Sequence, residues 1–292
     1  MDRLHAMQLF VRVAELGSFA AVAGQLGVAP SVVTRQVAAL EAHLGCKLIE
    51  RSTRRLRLTS AGTAYLERCR VILNLVEVAE TDIAEERRTP RGHVRVSMPL
   101  AFGIRRVAPL LLEFASLNAE VSLDMEFSDR LQNLIEEGID LSIRITTQLA
   151  PGDIARKLGV SRMKLVAAPD YLARHGRPRT PAELAHHEFL GYTYAPIGTL
   201  QFVVDNSLIN VPFRGRVNAN NGTVLAEAAA QGLGITCGPD FIVDDFIQSG
   251  RVEQILAGHE MPALNIHAVL PSNRQVPHRV RALMDFLVEH LC

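Results

Sequence analysis

Apolar residues recur at helical spacing from the start of the chain, with Leu4, Met7, Phe10, Val11 and Ala14 forming one stripe over residues 3–16. The pattern restarts after Gly17. Ser18 suits a helix N-cap, and residues 20–26 are rich in strong helix formers. Gly27 ends that helix, and Pro30 sits where a missing N–H is tolerated at the start of another. In the next helix Val33, Val37, Leu40 and Leu44 recur at inward spacing, which leaves Ser31, Val32, Thr34, Arg35 and Gln36 facing out. The spacing predicts a helix-turn-helix braced by residues 3–16. Leu48 and Ile49, then Leu56 and Leu58, read as two short strands with Arg54 and Arg55 near the turn between them. A hairpin tipped by arginines is a wing, able to reach phosphates or a narrow minor groove.

From residue 60 to about 88 the pattern becomes one long helix without proline. Leu66, Cys69, Leu73 and Val76 repeat at 3-4-3 spacing, and Ile83 continues the seam after a weaker step. Such a helix spans ~44 Å at 1.5 Å per residue. It has little of a small domain to pack on, so the same helix of a second chain is its expected partner. Two recognition helices in a two-fold dimer reach successive major-groove turns ~34 Å apart and call for a palindromic site. Thr89-Pro90-Arg91-Gly92 marks a hinge.

Beyond it strands and helices alternate. Residues 94–98, 121–127 and 139–144 read as strands, and 102–117 as a helix with Ile104, Val107, Leu111 and Phe114 on one side. A second helix is expected over 131–137, capped by Gly138. Residues 164–169 begin a second subdomain, followed by a strand at 217–219, a helix at 223–231 and a returning strand at 232–236. Residues 265–270 cross back, and 280–291 form a closing helix. The pattern predicts an α+β multidomain chain whose C-terminal part is an α/β fold with a largely parallel sheet. The expected domains are 1–59 (winged helix-turn-helix), 60–89 (linker helix) and 90–292, the last split into subdomain I at about 90–163 plus 267–292 and subdomain II at about 164–266.

Charge sharpens this picture. The whole chain is formally neutral, yet residues 1–60 hold eight Lys and Arg against four Asp and Glu. A local basic surplus on a neutral chain favours a polyanion partner. The outward helix face offers matching chemistry: hydroxyls from Ser31 and Thr34, a guanidinium from Arg35 for guanine or phosphate, and an amide from Gln36 for adenine. The residues expected at double-stranded DNA are Ser18, Ala29, Pro30, Ser31, Val32, Thr34, Arg35, Gln36, Arg51, Arg54 and Arg55. Cys46, Cys69, Cys237 and Cys292 are scattered, which gives no Cys-x-x-Cys pair and no metal cluster. No basic-then-apolar leader and no membrane-length apolar run is present, so a cytoplasmic location is expected.

A family resemblance rests on specific runs. They are Phe10-x-x-Val13-Ala14-Glu15-x-Gly17-Ser18-Phe19, Ala23-x-x-Leu26, Val33-Thr34-Arg35-Gln36-Val37-x-x-Leu40-Glu41-x-x-Leu44-Gly45, Leu48-x-x-Arg51 and Leu58-Thr59-x-Ala61-Gly62. Together they resemble the N-terminal domain of LysR-type transcriptional regulators. Ile49 stands where that family usually has Phe, and Thr34 where Ser is usual. Later runs fit the same family, including Glu136-Glu137-Gly138-Ile139-Asp140-Leu141, Ala168-Pro169-Asp170-Tyr171-Leu172, Asn220-Asn221-Gly222 and Gly232-Leu233-Gly234-Ile235. The resemblance implies an effector domain built like a periplasmic solute-binding protein, with a small-molecule cleft between its subdomains. An organic acid is the candidate effector. The resemblance also implies dimerisation through the linker helix (Leu66, Cys69, Leu73, Val76 and Ile83), a homotetramer that bends DNA at an inverted repeat, and contact with RNA polymerase.

Cleft residues follow from where strands end. Pro99, Leu100, Ala101 and Phe102 open a helix whose free N–H groups can hold an anion. Ser128 and Thr146 follow two further strands, with Asn220 and Thr223 facing them. Enzymatic readings find no support. Gly232-x-Gly234 followed by Gly238 has the wrong spacing for a dinucleotide fingerprint, His186-His187 lacks a metal partner nearby, and no Gly-x-Ser-x-Gly elbow occurs. No catalytic residue, metal or cofactor is expected. The competing reading is a solute-binding or enzymatic α/β domain whose N-terminal helices serve only association.

Overall fold

The computed structural model describes residues 2–51, 56–81, 89–195, 198–205, 207–271 and 276–291. The chain divides into two compact units, one built on residues 1–89 and one on most of the remainder. Among the described residues no helix is long and apolar enough to cross a membrane.

The first unit contains α1 (Arg3–Leu16), α2 (Phe19–Leu26), α3 (Pro30–Leu44), the strands β1 (Ile49–Arg51) and β2 (Leu56–Leu58), and α4 (Ser60–Thr81). Its caps act where the sequence places them. Ser18 Oγ accepts from Ala21 N–H at 3.3 Å and opens α2. Gly27 takes φ 65°, a left-handed conformation that turns the chain tightly into α3. Phe10, Val22, Val33, Val37, Leu40 and Leu48 are buried together in one core. Two expected stripe members stray from it: Leu4 is 39% and Leu44 36% exposed. Both lie at helix ends that overrun the core. β1 and β2 pair antiparallel, with Glu50 opposite Arg57.

The second unit holds two five-stranded sheets. The first has the order β4-β3-β5-β14-β6, built from β3 (Gly92–Met98), β4 (Val121–Phe127), β5 (Leu141–Thr146), β6 (Ile154–Ser161) and β14 (Leu264–Leu270). The second has the order β11-β8-β12-β7-β13, from β7 (Met163–Ala167), β8 (Glu188–Tyr192), β11 (Arg214–Ala219), β12 (Ile235–Pro239) and β13 (Glu253–Ile255). In each sheet three neighbouring strands run parallel and the remaining two pair antiparallel. Both sheets are therefore mixed rather than largely parallel. A separate hairpin joins β9 (Thr199–Val204) and β10 (Ser207–Pro212). Around the sheets lie α7 (Pro169–His175), α8 (Gly222–Ala230), α9 (Asp240–Gln248) and α10 (His278–Leu291).

Two expectations for the chain beyond residue 90 are corrected. Residues 134–138 form turns rather than a helix, with Gly138 at φ 65°. The helix expected over 102–117 is three pieces: α5 (Leu100–Phe102), a π-helical segment (Gly103–Val107) and α6 (Ala108–Leu117). The wide π turn brings Phe102, Val107, Leu111 and Phe114 inward and turns Ile104 outward, 58% exposed. Gly103 sits in this turn because a Cβ there would come 2.5 Å from Met98 Cγ.

Candidate functional site

The outward face of α3 is assembled as its spacing predicts. Val33, Val37 and Leu40 are buried, while Ala29, Pro30, Ser31 and Arg35 are exposed. Val32, Thr34 and Gln36 are half-buried at the edge of this face. The helix offers a convex polar surface at its N-terminal half, where recognition helices present base-reading groups. Ser18 has a structural duty as the cap of α2, which its hydroxyl performs as an acceptor. Arg51 closes β1, and Arg54 and Arg55 lie outside the described residues.

Sequence reasoning missed the group that ties the hairpin to α3. Glu41 is only 5% exposed. Its Oε1 accepts from Leu48 N–H at 2.9 Å and Ile49 N–H at 3.1 Å, and its Oε2 from Lys47 Nζ at 2.6 Å. Burial pushes the Glu41 carboxyl up, but the hydrogen bonds from Lys47, Ile49 and Leu48 outweigh it, so the net shift is downward. The hidden signal was a glutamate at the i+4 position from Val37, on the apolar side of the helix. Thr59 completes the join. Its N–H donates to Leu48 C=O at 3.0 Å, its hydroxyl donates to Lys47 C=O at 2.7 Å, and its Oγ1 accepts from Gly62 N–H at 2.9 Å to cap α4.

On α4 part of the expected association seam turns inward. Leu66 and Cys69 are buried in the core of their own unit, and Leu73 packs against it. The first turns of the helix lie against α1, so the same 3-4 spacing serves an internal contact. Burial also pushes the Cys69 thiol up to about 11. Val76 is half-buried, and Ile83 lies outside the described residues. Ile72 and Leu75 are 38% and 47% exposed, on a different side of the helix.

In the second unit a cavity of about 720 Å³ opens between the two sheets, within the usual range for small-molecule sites. Pro99, Ala101, Phe102, Ser128 and Thr146 line it, as their positions at strand ends suggest. Leu100, Asn220 and Thr223 are not brought to its wall. At the helix start expected to hold an anion, one N–H is already taken by a side chain of the chain itself, and the start of α8 is closed in the same way. Leu100 N–H donates to Asp129 Oδ1 at 2.9 Å. Asn221 Oδ1 accepts from Thr223 N–H at 2.9 Å and Val224 N–H at 3.1 Å, closing the start of α8.

Groups from both sheets meet around the cavity. The Tyr192 phenol, at the end of β8, lies close to the Asp129 carboxylate that follows β4. Burial and that carboxylate together push the Tyr192 phenol well above its ordinary value. Phe102 packs edge-on to Phe241 with ring centroids 5.0 Å apart. Arg105 reaches the start of α9, donating to Phe241 C=O at 2.9 Å and to Asp245 Oδ2 at 2.6 Å. At the strand crossing, Asp240 accepts from Ser161 Oγ at 2.6 Å and Arg162 N–H at 3.0 Å. Ser97 and Ser142 hydrogen-bond each other at 2.9 Å along the wall. Cys237 also lines the cavity, with its thiol pushed up to about 12 by burial, so it stays a protonated apolar group at neutral pH. Among the described residues no cluster of His, Cys, Asp and Glu has the arrangement of a metal site.

Known proteins match nearly all of the chain. Residues 4–63 match the model for the bacterial regulatory helix-turn-helix protein, lysR family, and residues 87–292 match the LysR substrate binding domain. An HTH-type transcriptional regulator of Xanthomonas campestris pv. campestris is 36% identical over 288 residues, covering 97% of this chain and 84% of the relative. The solved structure of CrgA, a LysR-type transcriptional regulator from Neisseria meningitidis, superposes with a TM-score of 0.61 at 34% identity and covers 98% of both chains. The full-length structure of AphB, a virulence activator of Vibrio cholerae and a member of the LTTR protein family, gives a TM-score of 0.62 at 28% identity and covers 99% of both.

Proposed function

The chain belongs to the LysR family of transcriptional regulators, and from that premise we propose how its parts divide the work. The first unit reads an inverted-repeat promoter site in the cytoplasm, with α3 in the major groove and the β1–β2 wing on the flanking backbone. The observation that carries this is the α3 surface: Ser31 and Arg35 exposed, Thr34 and Gln36 beside them, and the apolar side chains turned inward. Arg35 reads guanine or grips phosphate, and Gln36 pairs with adenine. Two such units act as a dimer, two dimers assemble into a tetramer, and the complex engages RNA polymerase. A small molecule in the cavity shifts the two sheets of the second unit against each other and so biases the spacing of the DNA-reading heads.

Titrating a duplex of the protein's own upstream region across a salt series tests the DNA role. Expected is a steep linear fall of log affinity with log salt, about 0.9 per phosphate neutralised, together with sequence preference. Arg35→Ala is expected to weaken specific binding by about 1–3 kcal/mol. A variant that binds like the parent removes Arg35 from the interface.

Association through α4 rests on Ile72 and Leu75, which stay exposed once Leu66 and Cys69 have joined the internal core. Paired carboxylates there, Ile72→Glu with Leu75→Glu, put charge into the buried seam of a dimer. The expected result by light scattering is a fall to monomer mass, with the thermal melt of the first unit unchanged. Unaltered mass places the contact elsewhere.

A further inference from the structure

A carboxylate at a helix start already does what a bound anion would do there. Asp129 occupies that role at α5, accepting the Leu100 N–H at 2.9 Å. The Tyr192 phenol of the other sheet lies near enough for this carboxylate to raise it, so Asp129 faces a group from each of the two sheets. A carboxylate offers about four lone-pair sites, and the Leu100 bond fills only part of that capacity. Asp129 lies in the cavity wall and is half-buried. A guest carboxylate brought to this spot meets a second carboxylate. A guest hydroxyl or amide N–H meets an acceptor.

The rest of the wall agrees. Among the described residues its charged side chains are Asp129, Asp153, Arg130 and Arg144, which sum to no net charge. Arg144 is held by Asp153 at 3.2 Å and by Gln132 C=O at 3.2 Å. Much of the remaining surface is apolar, with Met98, Phe102, Phe189, Leu200, Phe213 and Met261 contributing thioether, aliphatic and ring surfaces suited to flat or branched hydrocarbon.

We infer that this cavity selects an uncharged aromatic or branched apolar molecule carrying a hydroxyl or N–H donor, and discriminates against carboxylates, with Asp129 as the residue that sets the preference. The inference rests on the reading of the cavity as the effector site. It replaces the organic acid expected from the sequence.

Calorimetry on the full-length protein with a matched pair of probes, 2-naphthylmethanol and 2-naphthoate, tests it. Expected is at least tenfold tighter binding of the alcohol by the parent. Asp129→Asn is expected to shrink that ratio to threefold or less. Tyr192→Phe, which keeps the carboxylate, is expected to preserve it. Ala195→Trp, which places a ring at the exposed edge of the wall, is expected to abolish binding of the alcohol. Naphthoate binding as well as the alcohol, and lost in Ala195→Trp, overturns the ligand class while leaving the cavity reading in place; a further loss in Arg130→Ala identifies an anion site instead. A preference for the alcohol that vanishes in Tyr192→Phe but survives Asp129→Asn assigns selectivity to the tyrosine and overturns the role of Asp129. Binding indifferent to Ala195→Trp, or no binding of either probe, overturns both readings.

Discussion

Replacing Glu41 with alanine is expected to destabilise the N-terminal unit by about 3–5 kcal/mol, because two buried amides lose their acceptor at once. Leu48 and Ile49 N–H both end on this carboxylate, at 2.9 and 3.1 Å. No water-exposed alternative is at hand, since Leu48 is fully buried and Ile49 4% exposed. The consequence reaches DNA, since these amides begin the wing and fix its position relative to α3. Lys47→Ala removes the third partner, but Lys47 is 74% exposed and its loss is expected to cost less than about 1 kcal/mol. The net depression of the Glu41 carboxyl fixes the pH dependence. Its contribution is complete above the unfolded carboxylate value near 4.5 and disappears as pH falls through the lower folded value. Circular dichroism melts of both variants at neutral and acid pH read these differences. Equal melting of Glu41→Ala and the parent at neutral pH disproves the assignment.

Gly62→Ala is the second large effect. A Cβ on Gly62 would lie 2.0 Å from the Leu48 carbonyl oxygen and 2.9 Å from its carbon. Both atoms are backbone and already fixed, because the same oxygen accepts Thr59 N–H at 3.0 Å. The methyl therefore forces the first turn of α4 away from the hairpin. Overpacking of this kind costs typically 1–3 kcal/mol, and with backbone on both sides a loss of about 3 kcal/mol or more is expected. Alanine is otherwise the better helix former, so an exposed control, Gly24→Ala in α2, is expected to be neutral or stabilising. Should Gly62→Ala melt no lower than Gly24→Ala, the close approach of α4 to the hairpin is refuted.

The parts of the fold written in local chemistry were readable from the chain. Ser18, Gly27 and Pro30 announce the ends of α2 and α3, and their neighbours fold accordingly. What depends on a partner distant in sequence was not readable. Leu66 and Cys69 show a stripe, but a stripe does not say whether it covers its own core or a second chain. Glu188–Tyr192 has three consecutive buried positions and no alternation, so β8 left no strand signature. β10 exposes four of its first five residues in a row and hid equally well. The cavity divides in the same way. Pro99, Ala101 and Phe102 were legible as a helix opening after a strand, whereas Asp129 and Tyr192 acquire meaning only from their approach across the fold.

The interleaving of the two sheets bears on how the molecule is made. β14, starting at Leu264, lies between β5 and β6, so β6 has no hydrogen-bonded neighbour in its sheet until that late strand arrives. The other sheet needs nothing beyond Ile255. On a ribosome the second sheet can therefore close while the first still waits with an open edge, and a nascent chain stalled before residue 264 would carry a finished half joined to an unfinished one.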